Sequence, residues 1–233
     1  QSMYAVEHGS LSEARVLQGA PPEVFAHLEA TAEWRAYATG EKLFAQGDPS
    51  TEFVFLVTGA ARVLIHAASG QEVAFADVLA GGHLGELSLV DGGPRSAAVV
   101  AAEECIVAGV SREVMLEIVE QNSVVAINLL IDFARIMRGS NDRVVDLSTK
   151  SGVQRVYEEL LRLAEPSPSG DGTWYIPTVP MHKEIAVWAG TTADTVARAI
   201  GQLTNVGIVK RRTRALHIID RRHIEKLANS GEE

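Results

Sequence analysis

The sequence predicts an α+β chain in three parts: a small antiparallel sandwich, a long helix, and a helical unit that ends in a two-stranded hairpin. Three observations predict it. From Gly40 to about Val110, short apolar runs are broken by Gly47-Asp48-Pro49, Thr58-Gly59, Ser69-Gly70 and Gly81-Gly82, a turn signal roughly every 8–12 residues. From Ser111 to about Ser148 the apolar spacing is helical. After Pro180, two short helical patterns separated by Gly190 lead into "VGIVKRRTRALHII", two apolar runs around a basic turn.

Composition narrows the class. The chain has 233 residues and 46% hydrophobic content, enough for one large or two small domains. Gln1-Ser2-Met3 reads as a protease-site remnant before a native Met3 and is left out of the fold. No secretory signal and no apolar run of ~18 residues is seen, so a cytoplasmic protein with no membrane partner is expected. Cys105 is the single cysteine; it excludes an intrachain disulfide and argues against a cysteine-ligated cluster or zinc site. No metal is expected. Net charge is −9, but from Pro180 onward nine Lys/Arg outnumber six Asp/Glu, against 12 and 24 before it. An acidic front and a basic tail suggest two jobs, with the tail suited to phosphates.

Residues 10–38 read as helical, with Ser10 or Ser12 as the start and Val24, Phe25, Leu28 and Ala32 on one face. Val54, Leu56, Ala61, Val63 and Ile65 alternate as half-buried strands do. Ser111, with Val114 and Met115, predicts a capped short helix. Ile127, Leu130, Ala134, Met137, Asn141 and Val144 follow at 3-4-3-4-3 spacing, the seam of a coiled coil. A helix packed on its own sheet gives a similar stripe. Val124, Val125, Leu129, Ile131 and Phe133 flank it, so the helix needs a partner on two sides: its own domain and a second subunit. Gly139-Ser140-Asn141 is expected to interrupt this helix, since a mid-helix Gly costs roughly 1 kcal/mol. Asn141 either sets the register of a buried seam or, with Ser140, makes room for a polar ligand. Residues 146–152 read as a hinge, 153–164 as a helix, 165–172 as a loop, and "TWYIPTVPM" as a short strand running into a helix.

In the tail, Ile185, Ala186, Trp188 and Ala189 share a face and Gly190 stops their helix. Thr191 or Thr192 caps the next, with Asp194 at the positive end of its dipole. Val196, Ile200 and Leu203 make its buried face; Asp194, Thr195, Arg198 and Gln202 lie opposite. Helix, turn with Gly, helix is the helix-turn-helix pattern, whose second helix enters the major groove of double-stranded DNA. The hairpin after it reads as a wing, with Lys210, Arg211, Arg212 and Arg214 toward phosphates; taken singly, a plain helical hairpin and a solvated hairpin tip are the alternatives, and the order of the parts with the basic balance favours the winged form. Arg198 suits guanine O6/N7, and Asp194 can accept from cytosine N4.

"GELSLVDGGPRSAAV" (85–99) sets Glu86 and Arg95 among small and apolar residues. They form an internal ion pair, or they clamp a small charged ligand. In the second case Arg95 takes an anion. Gly85, Glu86, Leu87 and Ser88, if they open a helical turn, offer backbone N–H groups to the same anion. Glu86 accepts from a sugar hydroxyl, and Ser96 donates to a phosphate oxygen or a base. A compact phosphorylated sugar fits.

"GEKLFAQGD" (40–48) and residues 85–99 resemble the cyclic-nucleotide-binding domain and its phosphate-binding cassette. With the long helix and the winged helix-turn-helix, about residues 15–228 resemble the cAMP receptor protein/FNR (Crp-Fnr) family of bacterial transcription regulators. The resemblance implies a β-roll/jelly-roll cyclic-nucleotide-binding domain over 10–111, a dimerisation helix region over 112–148 and a winged helix-turn-helix over 149–233. It implies a homodimer that binds palindromic promoter DNA when cyclic nucleotide is bound, and contact with RNA polymerase. Glu86 would hold the ribose 2′-hydroxyl, and Arg95 the cyclic phosphate with Ser96 and backbone N–H groups around Gly85 and Leu87. Ser140 and Asn141 would approach the base, and Thr192, Asp194, Thr195, Arg198 and Gln202 the DNA. Two departures stand out. Ala193 sits where the family pattern has a second arginine, so the half-site is altered at one base pair. Asn141-Asp142 follow Ser140, and their oxygens could accept from guanine N1–H and N2–H, so cyclic GMP stands beside cyclic AMP. Another anionic effector, or none, is the alternative. One cysteine excludes the four-cysteine oxygen-sensing branch, and nothing singles out His83 as a haem ligand. No H-E-x-x-H, G-x-S-x-G or G-x-x-x-x-G-K-[ST] motif points to an enzyme.

Overall fold

The computed structural model describes residues 4–5 and 9–230; Gln1-Ser2-Met3, the expected remnant, and residues 231–233 lie outside them. The chain divides into two units, one of residues up to 70 and 74–139, the other of 71–73 and 140 onward. Along the first run β1 (Tyr4–Ala5), a 3-10 turn (Arg15–Leu17), α1 (Pro22–Thr31), β2 (Glu33–Tyr37), β3 (Lys42–Phe44), β4 (Phe53–Thr58), β5 (Ala60–His66), β6 (Glu72–Leu79) and β7 (His83–Leu84). Then follow α2 (Glu86–Asp91), β8 (Ala98–Ala101), β9 (Cys105–Val110), α3 (Arg112–Gln121) and α4 (Ser123–Thr149), which runs on into the second unit.

Two sheets, in the orders β1-β2-β9-β4-β7 and β3-β8-β5-β6, make the sandwich. Strand β4 shows why the chain packs in layers. Its Phe-Val-Phe-Leu run alternates: Val54 and Leu56 fill the sandwich with Ala61, Leu84, Val99 and Val107, while Phe53 and Phe55 pack outward on Leu17, Leu28, Met115, Val125 and Leu129. A strand buried on both faces reads as a continuous apolar run, and each fully buried Phe contributes about 1.5–3 kcal/mol.

Four expectations are corrected. Residues 10–38 are not one helix. Pro22 at the first helical position starts α1 there, so neither Ser10 nor Ser12 starts this helix. Residues 33–37 form β2, because pairing Glu33–Tyr37 antiparallel to β9 buries Trp34, a tertiary gain that helical propensity does not see. Residues 139–141 do not interrupt α4, which is continuous over 27 residues; one Gly penalty of ~1 kcal/mol is too small to open so long a ladder. The break falls at Asn122, where α3 and α4 bend by 110°. The Asn122 side-chain amide donates to Ile118 O at 2.9 Å, competing with the backbone as such residues do. The hinge shrinks to Lys150 and Ser151, and Glu165–Pro166 in the expected loop pair as a strand.

The second unit continues with α5 (Gly152–Leu163), β10 (Glu165–Pro166), β11 (Trp174–Ile176), α6 (His182–Ala189), α7 (Ala193–Asn205), β12 (Val209–Arg212), β13 (Ala215–Ile218) and α8 (Arg221–Asn229). Ser151 starts α5 with a full capping box: its hydroxyl accepts from Gln154 N, and Gln154 Oε1 accepts from Ser151 N. The core gathers Val156, Leu160, Ile176, Ile185, Val196, Ile200, Leu203 and Ile224 under the sheet β10-β11-β13-β12. Among the described residues, no single helix is long and apolar enough to cross a membrane. Replacing Phe55 with Ala is expected to lower stability by about 3–5 kcal/mol, and Leu79→Ala, at an exposed site, by less than about 0.5 kcal/mol; urea unfolding measures both.

Candidate ligand-binding cleft and nucleic-acid interface

The segment 85–99 folds as a cradle. Gly85 precedes α2 with φ +85°, a left-handed conformation that other residues adopt at a cost. A Cβ there would also lie 2.1 Å from Arg95 Nη1 and 2.8 Å from Glu52 O. Gly85 thus leaves the volume that Arg95 occupies. Backbone bonds fix the other side: Arg95 N donates to Asp48 O and Gly47 N donates to Arg95 O, both at 2.8 Å.

These constraints aim the Arg95 side chain inward. The residue is 3% exposed. Its guanidinium lies 4.2 Å from the Phe44 ring centre, and Nη2 donates to Ser50 Oγ at 3.1 Å. Nε and Nη1 are buried without a hydrogen-bond partner. Burial pushes its pKa below the usual guanidinium value, against the pull of Glu52, Asp48 and Glu86. None of these carboxylates reaches it, and Glu52 is engaged by Arg35 at 2.5 Å. There the bond and charge of Glu52 outweigh burial, so the pKa of Arg35 rises. Among the described residues no ion pair joins Glu86 to Arg95, so the internal-pair reading of the segment does not hold.

Gly85, Glu86, Leu87, Ser88, Arg95 and Ser96 line one partly open cleft, walled by Phe44, Val63, Leu84, Ala97 and Val99. Ser96 is exposed and Ser88 is buried. Ser140 and Asn141 lie on α4 in the second unit, half-buried and exposed respectively. The cleft's chemistry is one unpaired cation, one acceptor carboxylate and an apolar wall, which suits a small anion bearing hydroxyls.

Sequence reasoning missed the supports. Phe44 and Ser50 hold Arg95 from 51 and 45 positions away, and no spacing signals that. His83, two residues before the cassette, donates from Nε2 to Asp132 Oδ2 at 3.0 Å. That bond is the main cause holding the Asp132 carboxyl below the usual carboxylate range; burial opposes it and Arg135 assists. Burial pushes the Cys105 thiol up to about 11, so it stays protonated.

Along α4, Val125 and Leu129 are buried in the first unit's core. Ile127, Leu130, Ala134, Met137, Asn141 and Val144 are all exposed, Leu130 at 61%. The seam stands clear of the chain's own core.

In the second unit, Gly190 ends α6 with φ +61°. Thr192 caps α7, its hydroxyl accepting from Thr195 N at 3.2 Å. Arg155 closes α6 from behind, donating to Ala189 O at 2.7 Å and Gly190 O at 3.0 Å, as a cation suits a helix C-terminus. Val196, Ile200 and Leu203 are buried, and Asp194, Arg198 and Gln202 are exposed along the opposite face with Thr195 at its edge. Gln202 Oε1 also accepts from Tyr157 OH at 3.3 Å, so it is partly tied to its own unit. Lys210, Arg211, Arg212 and Arg214 are exposed on the β12–β13 wing, whose turn carries Thr213 at φ +48°.

A cleft with a buried arginine in a two-sheet sandwich, and a winged helix-turn-helix on the same chain, define the class: a DNA-binding transcription regulator with a small-ligand domain. Residues 34–122 match the family model of the cyclic nucleotide-binding domain, and 154–227 that of the Crp-like helix-turn-helix domain. The "Cyclic AMP receptor protein" of Thermus thermophilus is 32% identical over 176 residues, 76% of this chain and 79% of that one. The "CRP-like cAMP-activated global transcriptional regulator" of Mycobacterium tuberculosis is 24% identical over 219 residues, 94% and 98% of the two chains. The structure of Thermus thermophilus catabolite activator protein superposes with a TM-score of 0.52 at 28% identity, covering 92% of this chain and 98% of that one. The c-di-GMP responsive global regulator CLP of Xanthomonas campestris shares the fold, with a TM-score of 0.72 at 16% identity over 86% of this chain and all of that one. The chain belongs to the Crp-Fnr family of cyclic-nucleotide-binding transcription regulators.

Gly85→Ala is expected to cost at least about 1–2 kcal/mol for the left-handed backbone alone and to displace Arg95 as well. Thermal unfolding and a crystal structure of the variant check the two effects separately.

Proposed function

We propose that this chain is a cytoplasmic, homodimeric regulator that binds palindromic promoter DNA when cyclic AMP or cyclic GMP occupies the sandwich. One observation carries the effector reading: a guanidinium 3% exposed, with two unpaired nitrogens, in a cleft that also holds Glu86. A buried cation without a counter-charge is costly, and a singly charged cyclic phosphate meets Nε and Nη1 of Arg95. Backbone N–H groups of Glu86, Leu87 and Ser88, with the Ser96 hydroxyl, complete the anion shell. Glu86 accepts from the ribose 2′-hydroxyl. Ser140 and Asn141 face the base, and Asn141 decides between adenine and guanine. The sensing role belongs to residues 10–111, pairing of subunits to 112–148 and DNA binding to 149–233.

The exposed seam of α4 supports pairing with a second copy, since apolar side chains at 3-4 spacing bury one another in such a pair. Effector binding then favours one arrangement of the paired helices, a population shift toward a state whose two recognition helices α7 meet successive major grooves. Asp194, Thr195 and Arg198 read base edges there, Thr192 and Gln202 flank them, and the four wing cations take phosphates. RNA polymerase is the further partner. The chain catalyses no reaction in this reading and carries no metal.

Calorimetric titration with cyclic AMP, cyclic GMP and c-di-GMP tests the effector. One cyclic mononucleotide binds wild type, and Arg95→Ala weakens it more than about 100-fold, as loss of a buried charge-assisted pair does, with unfolding still cooperative. Binding of the dinucleotide alone, or undiminished binding by Arg95→Ala, overturns the assignment. On DNA, Arg198→Ala is expected to lose about 1–3 kcal/mol and relax discrimination at one base pair, while Arg212→Ala weakens all sequences alike and lowers the salt slope by about one. Fluorescence anisotropy across a salt series separates them.

A further inference from the structure

His83 lies between two carboxylates that the chain brings together from different elements. It sits on β7, its side chain 6% exposed. Its ring stacks on Phe53 at 4.9 Å between centroids, which fixes the plane of the imidazole. Nε2 meets Asp132 Oδ2 of α4 at 3.0 Å, and Nδ1 faces Glu86 Oε2 of the cassette at 3.8 Å. An ionised carboxylate only accepts, so Nε2 carries the hydrogen. In the neutral ring Nδ1 is then a lone pair aimed at another acceptor. Nδ1 is buried without a hydrogen-bond partner, and 3.8 Å is too long for a hydrogen bond. The other charged groups around this ring are few. Arg135 of the same helix binds the second oxygen of Asp132 at 2.8 Å, and Arg15 of the 3-10 turn acts on Asp132 through space. Phe53 from β4 is uncharged.

We infer that His83 is a positioning residue for Glu86, and that a second proton on its ring, at Nδ1, closes a chain from Glu86 through His83 to Asp132 that favours nucleotide binding. The inference rests on the reading of Glu86 as the ribose acceptor. The proton turns Nδ1 into a donor to Glu86 Oε2. The carboxylate is then held from behind, with Oε1 left for the ribose hydroxyl. No covalent bond changes; one proton is taken from solvent. An imidazole changes charge between pH 5 and 8, whereas a phosphodiester stays singly charged there. The sign follows: the favoured state binds one more proton, so nucleotide affinity falls as pH rises. The same chain ties the cassette to α4, because Asp132 lies on that helix.

The test is calorimetry of wild type, His83→Gln and Asp132→Asn with cyclic AMP and cyclic GMP from pH 5.5 to 8.5. Two buffers of different ionisation enthalpy count the protons taken up. Wild type should lose about three- to ten-fold in affinity across this range, with fractional proton uptake, as linkage to one imidazole requires. His83→Gln keeps a donor toward Asp132 but cannot titrate; its affinity should match wild type at high pH and stay flat. Asp132→Asn removes the charge that holds the proton, so its profile should move to lower pH, and this variant keeps the imidazole if His83→Gln fails to fold. A flat wild-type profile, or parallel profiles in wild type and both variants, overturns the role of His83. Failure of wild type to bind either nucleotide overturns the reading of the cleft and this one with it.

Discussion

The first unit is organised around a cation that the protein alone does not satisfy. Arg95 is held from several directions: by backbone bonds to the 47–48 turn, by Ser50, by the Phe44 ring, and by the space that Gly85 leaves. Those contacts orient the guanidinium without neutralising it. Unpaired buried donors each cost about 1–3 kcal/mol, more when charged; an anion in the cleft would offset that cost, and donors already in place would lower the ordering cost of binding it. The unpaired charge also explains why the nearby carboxylates matter. Glu52 is occupied by Arg35, and Glu86 faces His83. Glu52 cannot move in to quench Arg95 without breaking its pair with Arg35.

The helix α4 extends this logic to larger distances. One side is buried in the core of the first unit through Val125 and Leu129, and a different stripe is apolar and exposed. The exposed stripe makes little sense in an isolated chain, since a contiguous apolar surface marks an interaction site. The His83–Asp132 bond joins the cassette's neighbourhood to the same helix. The second unit is built differently. Its charge lies on the surface of α7 and the wing, and its arginines near the core, Arg143 and Arg155, serve the C-terminal carbonyls of α6. One unit holds a cation inside; the other keeps its α7 and wing cations outside.

Legibility in the sequence followed the range of the interaction. Caps at Ser111 and Thr192, the stop at Gly190 and the wing turn are local, and each shows in a few residues; the Ser151 capping box, equally local, lies where the sequence reads as a hinge. The strands from 40 to 110 showed through their turns. The long-range features did not. The strand at 33–37 exists because β9 lies beside it, and β9 is some 70 positions away. The bend at Asn122 carries no Gly or Pro. The expected break at Gly139 overrated a local cost that a long helix absorbs. In the cleft, Glu86 and Arg95 were visible through the cassette motif, but whether they paired with each other was not. Ser50 and His83 carried no signal that linked them to it, and Phe44, though within the segment 40–48, carried none that placed it on Arg95.

By itself, the sequence determined the order of the parts, the turns between 40 and 110, the caps of α3 and α7, the amphipathic faces of α4 and α7, and the asymmetry of charge. These follow from residue type and spacing along the chain. Only the tertiary structure decided that Arg95 is buried and unpaired, that Glu52 belongs to Arg35, and that His83 lies between Glu86 and Asp132. Those outcomes depend on which strands and helices meet, and a buried charge takes its meaning from whatever the fold places within hydrogen-bonding reach of it.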